Sequence, residues 1–471
     1  MNPNEQLLYG FGLELCFRSK PKFMKTQKHS LILLLMYFFM TSGHVFSQTI
    51  SKHLIGNNLW LPPWMDGSRM DDLLPEIGKA GFQLIRIGGN GAQNSKAYTN
   101  ERIADMIREI RNQGADVIVQ VPHSHSADQA FAMIKYLNGE MKLAVNYWAI
   151  GNEPNLNNSH HTPIPVAEVA QYIKRIATSL KSYDENIKTI GPTTAWYDSS
   201  YLKPLFVDNG LFDISGKDDN GNYYIDILSW NKYQISTGSE YEETIDAAIK
   251  VISKINLDRP ENQKMTWAIT ELNGHYDNNI ATDEQKCWSF NTGQTFAELF
   301  GIGMRKGAFT IAGWSIFESG GLRGGGDLGL FDQLGEDFGY VLRGRSTYYH
   351  SLMLGKHMGT DYLTSTTDRE FVTSIAMSDE HSIAVMLINR GNEDSLDYSI
   401  AFNGNSPMLS SLNVELDIGL EKMEYGIIEP KTTQMLIFDS DGNLEMKYNY
   451  SQADAENFTA PSITQFSNLT Q

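Results

Sequence analysis

Two glutamates stand in short polar segments that directly follow apolar runs of the sequence. Glu153 lies in GNEPN (151–155), after the run YWAI (147–150), and Glu271 follows the run MTWAIT (265–270). Two carboxyl groups that face one sugar bond suit glycoside hydrolysis, because one protonated group donates to the leaving oxygen while the ionised group attacks the sugar or activates water. A separation of about 5–5.5 Å favours retention and roughly 6.5–9.5 Å favours inversion of configuration. The sequence alone leaves that separation open.

These glutamates need a fold that brings two distant chain segments together, and the periodicity of the chain predicts one. Eight apolar runs of strand type, between residues 53 and 316, alternate with segments of helical spacing, and Gly or Pro follows most of the runs. Such alternation favours a parallel sheet, and eight units predict an α/β protein of the (β/α)8 TIM barrel type. Catalytic groups of these barrels lie at the C-terminal ends of the strands. Glu153 after the fourth strand and Glu271 after the seventh are therefore expected to face each other.

The remaining chain predicts a leader before the barrel and a second domain after it. Residues 1–47 combine a lysine-rich stretch, the apolar run 31–40 and small residues up to Ser47, which is typical of a secretory signal peptide. We therefore expect a secreted or periplasmic protein with the barrel in residues 48–355. Short apolar runs separated by Gly, Asn and Asp predict a small antiparallel β-sandwich in residues 356–447. Residues 448–471 form a predicted polar tail.

Composition narrows the classes of partner and cofactor. The chain carries 56 acidic and 38 basic residues, a formal net charge of −18, so a nucleic-acid partner is not expected. Two cysteines exclude a disulfide framework and a four-thiolate metal site. No long apolar run follows the leader, so no membrane span is predicted. We expect a polysaccharide or oligosaccharide substrate, no cofactor and no metal.

Two motifs resemble the signatures of glycoside hydrolase clan A. WAIGNEPN (148–155) resembles its acid/base segment after strand four, and WAITELN (267–273) resembles its nucleophile segment after strand seven. The pairing is most similar to glycoside hydrolase family 39, with weaker likeness to agarase- and porphyranase-type members, and the resemblance covers residues 53–355. It implies a retaining enzyme in which Glu153 is the acid/base and Glu271 is the nucleophile that forms a covalent glycosyl-enzyme intermediate.

The resemblance also implies roles for four residues at the strand ends. Asn152 would bind the sugar 2-hydroxyl and Arg86 would support the nucleophile. Tyr233 would hydrogen-bond the nucleophile, and Trp314 would form the aromatic floor of the −1 subsite. One departure is Asn231, which stands where many members have His; an uncharged amide alters that subsite. Gly151 stands where family 39 commonly has Trp.

Three further residues near strand ends are predicted to contact sugar. Trp64 and Trp196 offer flat apolar faces for stacking, and His123 offers a polar contact. His123 and His125 also have the spacing of two metal ligands, but a zinc site needs a third. Two alternatives therefore stay open: a carbohydrate-binding barrel without turnover, and a metal-dependent barrel hydrolase. For the pair of glutamates, we expect burial to raise the pKa of Glu153 and Arg86 to lower the pKa of Glu271.

Overall fold

The structure is a computed structural model and describes residues 48–60, 67–94, 96–159, 161–207, 210–318, 321–334, 341–404 and 410–466. A two-residue strand, β1 (Gln48–Thr49), is followed by eight parallel strands that close into a barrel in chain order, from β2 to β9. The predicted (β/α)8 barrel is confirmed. Its strands are β2 (Ile55–Leu59), β3 (Leu84–Ile87), β4 (Asp116–Val121), β5 (Tyr147–Ile150), β6 (Lys188–Thr194), β7 (Ile227–Lys232), β8 (Thr266–Leu272) and β9 (Ala308–Gly313).

Helices follow the strands and cover the outside of the barrel. Local sequence explains their ends: Thr99 accepts a hydrogen bond from the Arg102 amide at one N-terminus, and Gly307, with φ +67°, ends another helix. The helix at Ser199–Phe206 was not predicted from the sequence. The helices are α1 (Gly67–Ala80), α2 (Asn90–Asn94), α3 (Asn100–Asn112), α4 (Ala127–Ile134), α5 (Val166–Tyr183), α6 (Ser199–Phe206), α7 (Glu242–Ile255), α8 (Phe290–Lys306) and α9 (Ser346–Lys356).

The two faces of each barrel strand have different partners, because successive side chains of a strand point to opposite sides. In β3, Ile85 and Ile87 belong to the large core shared with the helices, whereas Leu84 belongs to a small cluster inside the barrel. We call this cluster the barrel base. Its buried members come from six strands: Leu84, Ile118, Ala149, Ile190, Ile227 and Ala268. Arg86, two residues beyond Leu84, has the same orientation at a higher level of the barrel.

A hairpin after β9 and two further sheets complete the described chain. The hairpin pairs β10 (Phe331–Leu334) with β11 (Val341–Gly344). Seven strands form one sheet in the order β1-β12-β14-β15-β19-β20-β21, and four form another in the order β13-β17-β16-β18. All pairs are antiparallel except β16 with β17. The strands are β12 (Asp361–Leu363), β13 (Ser365–Thr367), β14 (Val372–Ser378), β15 (Ser382–Asn389), β16 (Leu396–Ala401), β17 (Leu412–Leu416), β18 (Met423–Ile428), β19 (Thr432–Asp439), β20 (Leu444–Ser451) and β21 (Ser462–Gln465), with α10 (Gln452–Glu456) between the last two.

The sandwich is larger than predicted at both of its chain ends. β1 pairs with β12, so Gln48 and Thr49 belong to the sandwich rather than to the barrel. Much of the segment 448–471 is not a tail, because β20 continues to Ser451 and β21 pairs with it. Tyr448 and Tyr450 are both buried, and their spacing of two residues is the strand pattern that the polar composition of the segment concealed.

None of the helices in the described ranges is both long and apolar enough to cross a membrane. The predicted signal peptide, residues 1–47, and Trp64 lie outside the described residues.

Candidate active site

Arg86 is the centre of a buried polar network at the C-terminal end of the barrel, which we call the mouth. Its side chain is fully buried, and its Nη1 donates to Asn58 Oδ1 and Glu271 Oε1, both at 2.9 Å. Its Nη2 donates to Gln120 Oε1 at 2.8 Å and Asn152 Oδ1 at 2.6 Å. A guanidinium group supplies several donors in one plane, so a single residue connects side chains from four strands or strand ends.

Glu271 is held by one cation and one phenol. It lies in β8 and is 4% exposed. Its Oε1 accepts from Arg86, and its Oε2 accepts from the Tyr233 hydroxyl at 2.8 Å. The resemblance implied an arginine beside Glu271 and a tyrosine hydrogen-bonded to it, and both contacts are present. Both oxygens therefore keep a fixed orientation, as an attacking carboxylate requires.

The pKa of Glu271 is raised overall, although Arg86 acts to lower it as predicted. Burial and the neighbouring charge of Glu153 raise the pKa of Glu271 to about 7, although Arg86 and Tyr233 both act to lower it. The predicted influence of Arg86 is therefore confirmed in its direction, but it does not decide the net shift. The reason is that Glu271 has lost nearly all contact with water, and desolvation outweighs the one ion pair.

Glu153 is held by two neutral amides instead of a cation. Asn231 Nδ2 donates to its Oε1 at 3.0 Å, and Asn90 Nδ2 donates to its Oε2 at 2.6 Å. Its backbone has φ +45°, uncommon for a residue with a Cβ atom, and its amide is bound by the Thr193 carbonyl at 2.8 Å. The tight turn after β5 thus aims the carboxyl group back over the mouth.

Hydrogen-bonded side chains connect the two carboxylates. From Glu271 the path passes through Arg86 to Asn152, whose Nδ2 donates to Asn90 Oδ1 at 3.0 Å, and from Asn90 to Glu153. In Asn152 and in Asn90 the side-chain oxygen accepts one hydrogen bond and the nitrogen donates another, so neither side-chain amide can rotate by 180° without losing these bonds. The structure therefore brings together Arg86, Asn152, Glu153, Asn231, Tyr233 and Glu271, all of which the sequence had singled out.

Trp314 lies beside this network on the opposite side from Glu153. Its Nε1 donates to Glu318 Oε1 at 3.2 Å, and the side chain of Asn273 donates to its carbonyl. The ring sits against Gly89, where an added Cβ would lie 2.3 Å from the indole. A side chain at position 89 would therefore displace the ring, which explains why glycine is needed there. Burial raises the pKa of Glu318 to about 8.

Within the described residues, the predicted contact residues His123 and Trp196 are not members of this hydrogen-bonded network. His123 is half-buried with its ring 5.7 Å from that of Tyr172, and in the described part of the chain no hydrogen bond joins it to Glu153 or Glu271. Burial lowers the pKa of both His123 and His125. Among the described residues, no group of three or more His, Cys, Asp or Glu side chains is arranged to hold a metal ion. Trp196 is 46% exposed on the rim beyond β6.

Sequence reasoning missed three members of the network: Asn58, Asn90 and Gln120. Asn58 links Arg86 to the carbonyls of Thr270 and Gly313, and Gln120 binds both Arg86 and the Gly89 backbone. A signal for Gln120 was present, because it alternates with apolar residues in DVIVQV (116–121) and so points inward with Ile118. Asn90 directly follows Gly88-Gly89 at the end of β3, a position where chemistry is expected.

Comparisons with known proteins identify the same fold. No protein-family model and no curated protein sequence matches the chain. Among solved structures, the chain is similar to an alpha-L-arabinofuranosidase from Thermotoga maritima in complex with arabinose, with a TM-score of 0.60, 15% identity, and coverage of 84% of this chain and 98% of that one. It is also similar to a glycoside hydrolase family 30 subfamily 8 xylanase, Xyn30A, from Clostridium acetobutylicum, with a TM-score of 0.54, 15% identity, and coverage of 84% and 98%. A third similar structure is Cel44A, a family 44 endoglucanase from Clostridium thermocellum, with a TM-score of 0.54, 12% identity, and coverage of 85% and 98%.

Proposed function

We propose that this protein is a glycosidase of clan A that cleaves O-glycosidic bonds of a polysaccharide or oligosaccharide with retention of configuration. The observation that carries the proposal is the unequal treatment of the two glutamates at the mouth. Glu271 is bound by Arg86 and Tyr233, whereas Glu153 is bound only by the amides of Asn90 and Asn231. Two carboxyl groups that are held by different partners can take different roles in one site, and Glu271, whose pKa is about 7, is ionised above neutral pH.

In the first step Glu271 attacks the anomeric carbon of the sugar. The bond from this carbon to the leaving oxygen breaks while a bond to a Glu271 oxygen forms, and the leaving oxygen takes the proton of Glu153. Asn90 and Asn231 occupy one lone pair on each Glu153 oxygen, and a carboxyl oxygen has a second lone pair that can carry this proton. Arg86 and Tyr233 keep Glu271 oriented for the attack.

In the second step Glu153 acts as a base. It takes a proton from a water molecule, the water oxygen bonds to the anomeric carbon, and the bond to Glu271 breaks. In this proposal Asn152, whose Oδ1 accepts a hydrogen bond from Arg86, binds the sugar 2-hydroxyl, and Trp314 forms the floor beneath the reacting sugar. The finer likeness to family 39 or to agarases and porphyranases stays a prediction, as does secretion.

The substrate is proposed to be a neutral glycan. The three similar proteins above are named as an arabinofuranosidase, a xylanase and an endoglucanase. On this chain, Arg323 is a candidate for recognising an acidic sugar, but its guanidinium forms two hydrogen bonds with Asp332, at 2.9 and 2.6 Å. Its charge is thus already compensated within the protein.

A polysaccharide screen tests the proposal directly. Purified protein is incubated with arabinan, xylan, xyloglucan, cellulose, agarose and porphyran, and the products are separated by chromatography. We expect oligosaccharide or monosaccharide products that keep the anomeric configuration by NMR, that form in the presence of EDTA, and that disappear with Glu271→Gln. Binding without any product would support the carbohydrate-binding alternative, and activity that EDTA abolishes would support the metal-dependent one.

A further inference from the structure

We propose that Trp196 is a stacking platform for the sugar on the leaving-group side of the scissile bond, and that Asn155 positions it relative to Glu153. This inference rests on the proposed glycosidase function and assigns a subsite and a positioning residue to it. Trp196 is 46% exposed although it lies in the segment that follows a buried barrel strand. An indole of this exposure at the mouth of a barrel offers a flat apolar face to a sugar ring.

The segment that carries Trp196 is bonded to the turn that carries Glu153. The Glu153 amide donates to the Thr193 carbonyl at 2.8 Å, and the Ala195 amide donates to Asn155 Oδ1 at 2.8 Å. Asn155 Nδ2 in turn donates to Asp198 Oδ2 at 3.0 Å. The buried Asn155 side chain is thus hydrogen-bonded to Ala195 and Asp198, which lie on either side of Trp196 in the sequence.

The residues next to Trp196 in the sequence are packed against the protein, whereas the Trp196 ring itself is exposed to solvent. Ala195 is buried, and the ring of Tyr197 packs edge-on against the buried Trp230 at 5.5 Å. Asp198 also accepts from the Ser200 amide at 2.9 Å and begins α6. A rim segment that is fixed on both sides can present an exposed aromatic ring in one orientation, which lowers the entropy lost when a ligand binds.

The order of strands in the barrel assigns the platform to the leaving-group side. β6, which precedes Trp196, lies between β5, which precedes Glu153, and β7, which carries Asn231, the amide bound to Glu153. Trp314 follows β9, three strands further around the ring. The group that protonates the leaving oxygen must lie next to the leaving sugar. A ring on the Glu153 side therefore serves that sugar, while Trp314 serves the sugar that is attacked.

The test compares substrates that share the attacked sugar but differ in the leaving group. Fluoride has no ring to stack, so xylosyl, glucosyl or arabinofuranosyl fluoride is compared with xylotriose, cellotriose or arabinotriose, according to the sugar that the wild-type protein releases. For Trp196→Ala we expect kcat/KM for the trisaccharide to fall on the order of tenfold, as for a lost aromatic contact, and kcat/KM for the fluoride to stay within about twofold. Equal losses on both substrates, or no loss on the trisaccharide, would overturn the platform.

Tyr276→Ala is the matched control, because Tyr276 is 53% exposed in the segment after β8. We expect it to produce no selective loss on the trisaccharide. If Tyr276→Ala selectively lowered kcat/KM for the trisaccharide and Trp196→Ala did not, the leaving sugar would lie on the other side of the mouth and the inference would be contradicted. If the wild-type protein releases no sugar from any glycan, the proposed function is overturned and the subsite with it. If the wild-type protein is active and Trp196→Ala is equally active on the trisaccharide, only the subsite is overturned.

A donor–acceptor exchange tests the positioning role of Asn155. Asn155→Asp keeps the acceptor for the Ala195 amide but places a second carboxylate against Asp198, so we expect the same selective loss on the trisaccharide. The double variant Asn155→Asp/Asp198→Asn restores one donor and one acceptor across this contact, and we expect it to recover most of the lost kcat/KM. A single variant that is impaired equally on both substrates, or a double variant without recovery, would make Asn155 a merely structural residue.

Discussion

The base and the mouth of the barrel are built from the same strands, but the base is an apolar cluster and the mouth is a hydrogen-bonded network of charged and polar side chains. In β3, Leu84 belongs to the apolar base and Arg86, two residues later, centres the polar network of the mouth. In β4, Ile118 and Gln120 repeat this arrangement. Apolar burial at the base stabilises the closed barrel, whereas buried polar groups at the mouth are retained only with their partners. The base maintains the fold, and the mouth uses that fold to hold charges together.

Glu153→Gln should produce the largest effect that is confined to the mouth. Loss of the general acid lowers kcat/KM by about 10²–10⁴-fold for a sugar leaving group, and much less for a glycosyl fluoride, whose leaving group needs no proton. The contrast is measured with the substrate pairs described above. A loss of equal size on both substrates would show that Glu153 is not the acid. Thermal unfolding should stay close to that of the wild-type protein.

Arg86→Met should affect both stability and activity. It leaves Glu271 buried without its cation, and breaking a buried ion pair in this way costs about 3–5 kcal/mol in the free energy of unfolding. Without Arg86 the pKa of Glu271 should rise further, so turnover at neutral pH should be lost. Denaturant unfolding and kinetics over pH 4–9 measure both effects. An active variant with wild-type stability would contradict the central place of Arg86 in the network.

Leu84→Ala is the matched change at the base, in the same strand. Leu84 is 1% exposed, and removal of a buried leucine side chain costs about 2–5 kcal/mol in the free energy of unfolding. We expect kcat/KM to stay unchanged at temperatures where the variant is folded, because no contact of the mouth is removed. A selective loss of activity in a folded Leu84→Ala variant would break the distinction between base and mouth.

Tyr233→Phe should give the smallest and most specific change. Removing the hydroxyl that donates to Glu271 removes an influence that lowers the pKa of this carboxyl group. The acidic limb of the kcat/KM profile, which follows ionisation of Glu271 with a pKa of about 7, should therefore move to higher pH. The activity above this limb should fall roughly tenfold, as for one hydrogen bond to a charged group. A limb that stays in place would assign it to another residue.

The same pKa has a consequence for stability. The pKa of Glu271 is raised in the folded protein, so the folded state binds this proton more tightly than the unfolded state. The stabilisation is therefore complete below the ordinary carboxyl pKa and is lost as pH rises towards about 7. In Glu271→Gln this loss should be absent, and denaturant unfolding between pH 4 and 8 should show a correspondingly flatter dependence than in the wild-type protein.

Local patterns were sufficient to predict the fold and the location of Glu153 and Glu271 at the same end of the barrel. Alternating strand and helix periods between residues 53 and 354 predicted eight units, and closure of eight parallel strands followed from general rules. The strand ends were predicted less well: the apolar runs end at Ile190, Trp230 and Thr270, whereas β6, β7 and β8 continue to Thr194, Lys232 and Leu272. Near two of these strand ends, Asn231 and Glu271 are polar and are paired inside the mouth, so hydrophobicity alone could not show that the strands continue.

The amino-acid sequence by itself determined which residues are acidic, which segments become strands, and hence that Glu153 and Glu271 reach the same end of the barrel. Only the tertiary structure decided how these groups are held. Asn90, Gln120 and Asn58 gain their roles from neighbours that are distant along the chain, and the pKa of Glu271 depends on how much water the closed barrel excludes. Strand periodicity is a local property of the chain, whereas desolvation and hydrogen-bond pairing exist only when the barrel has closed.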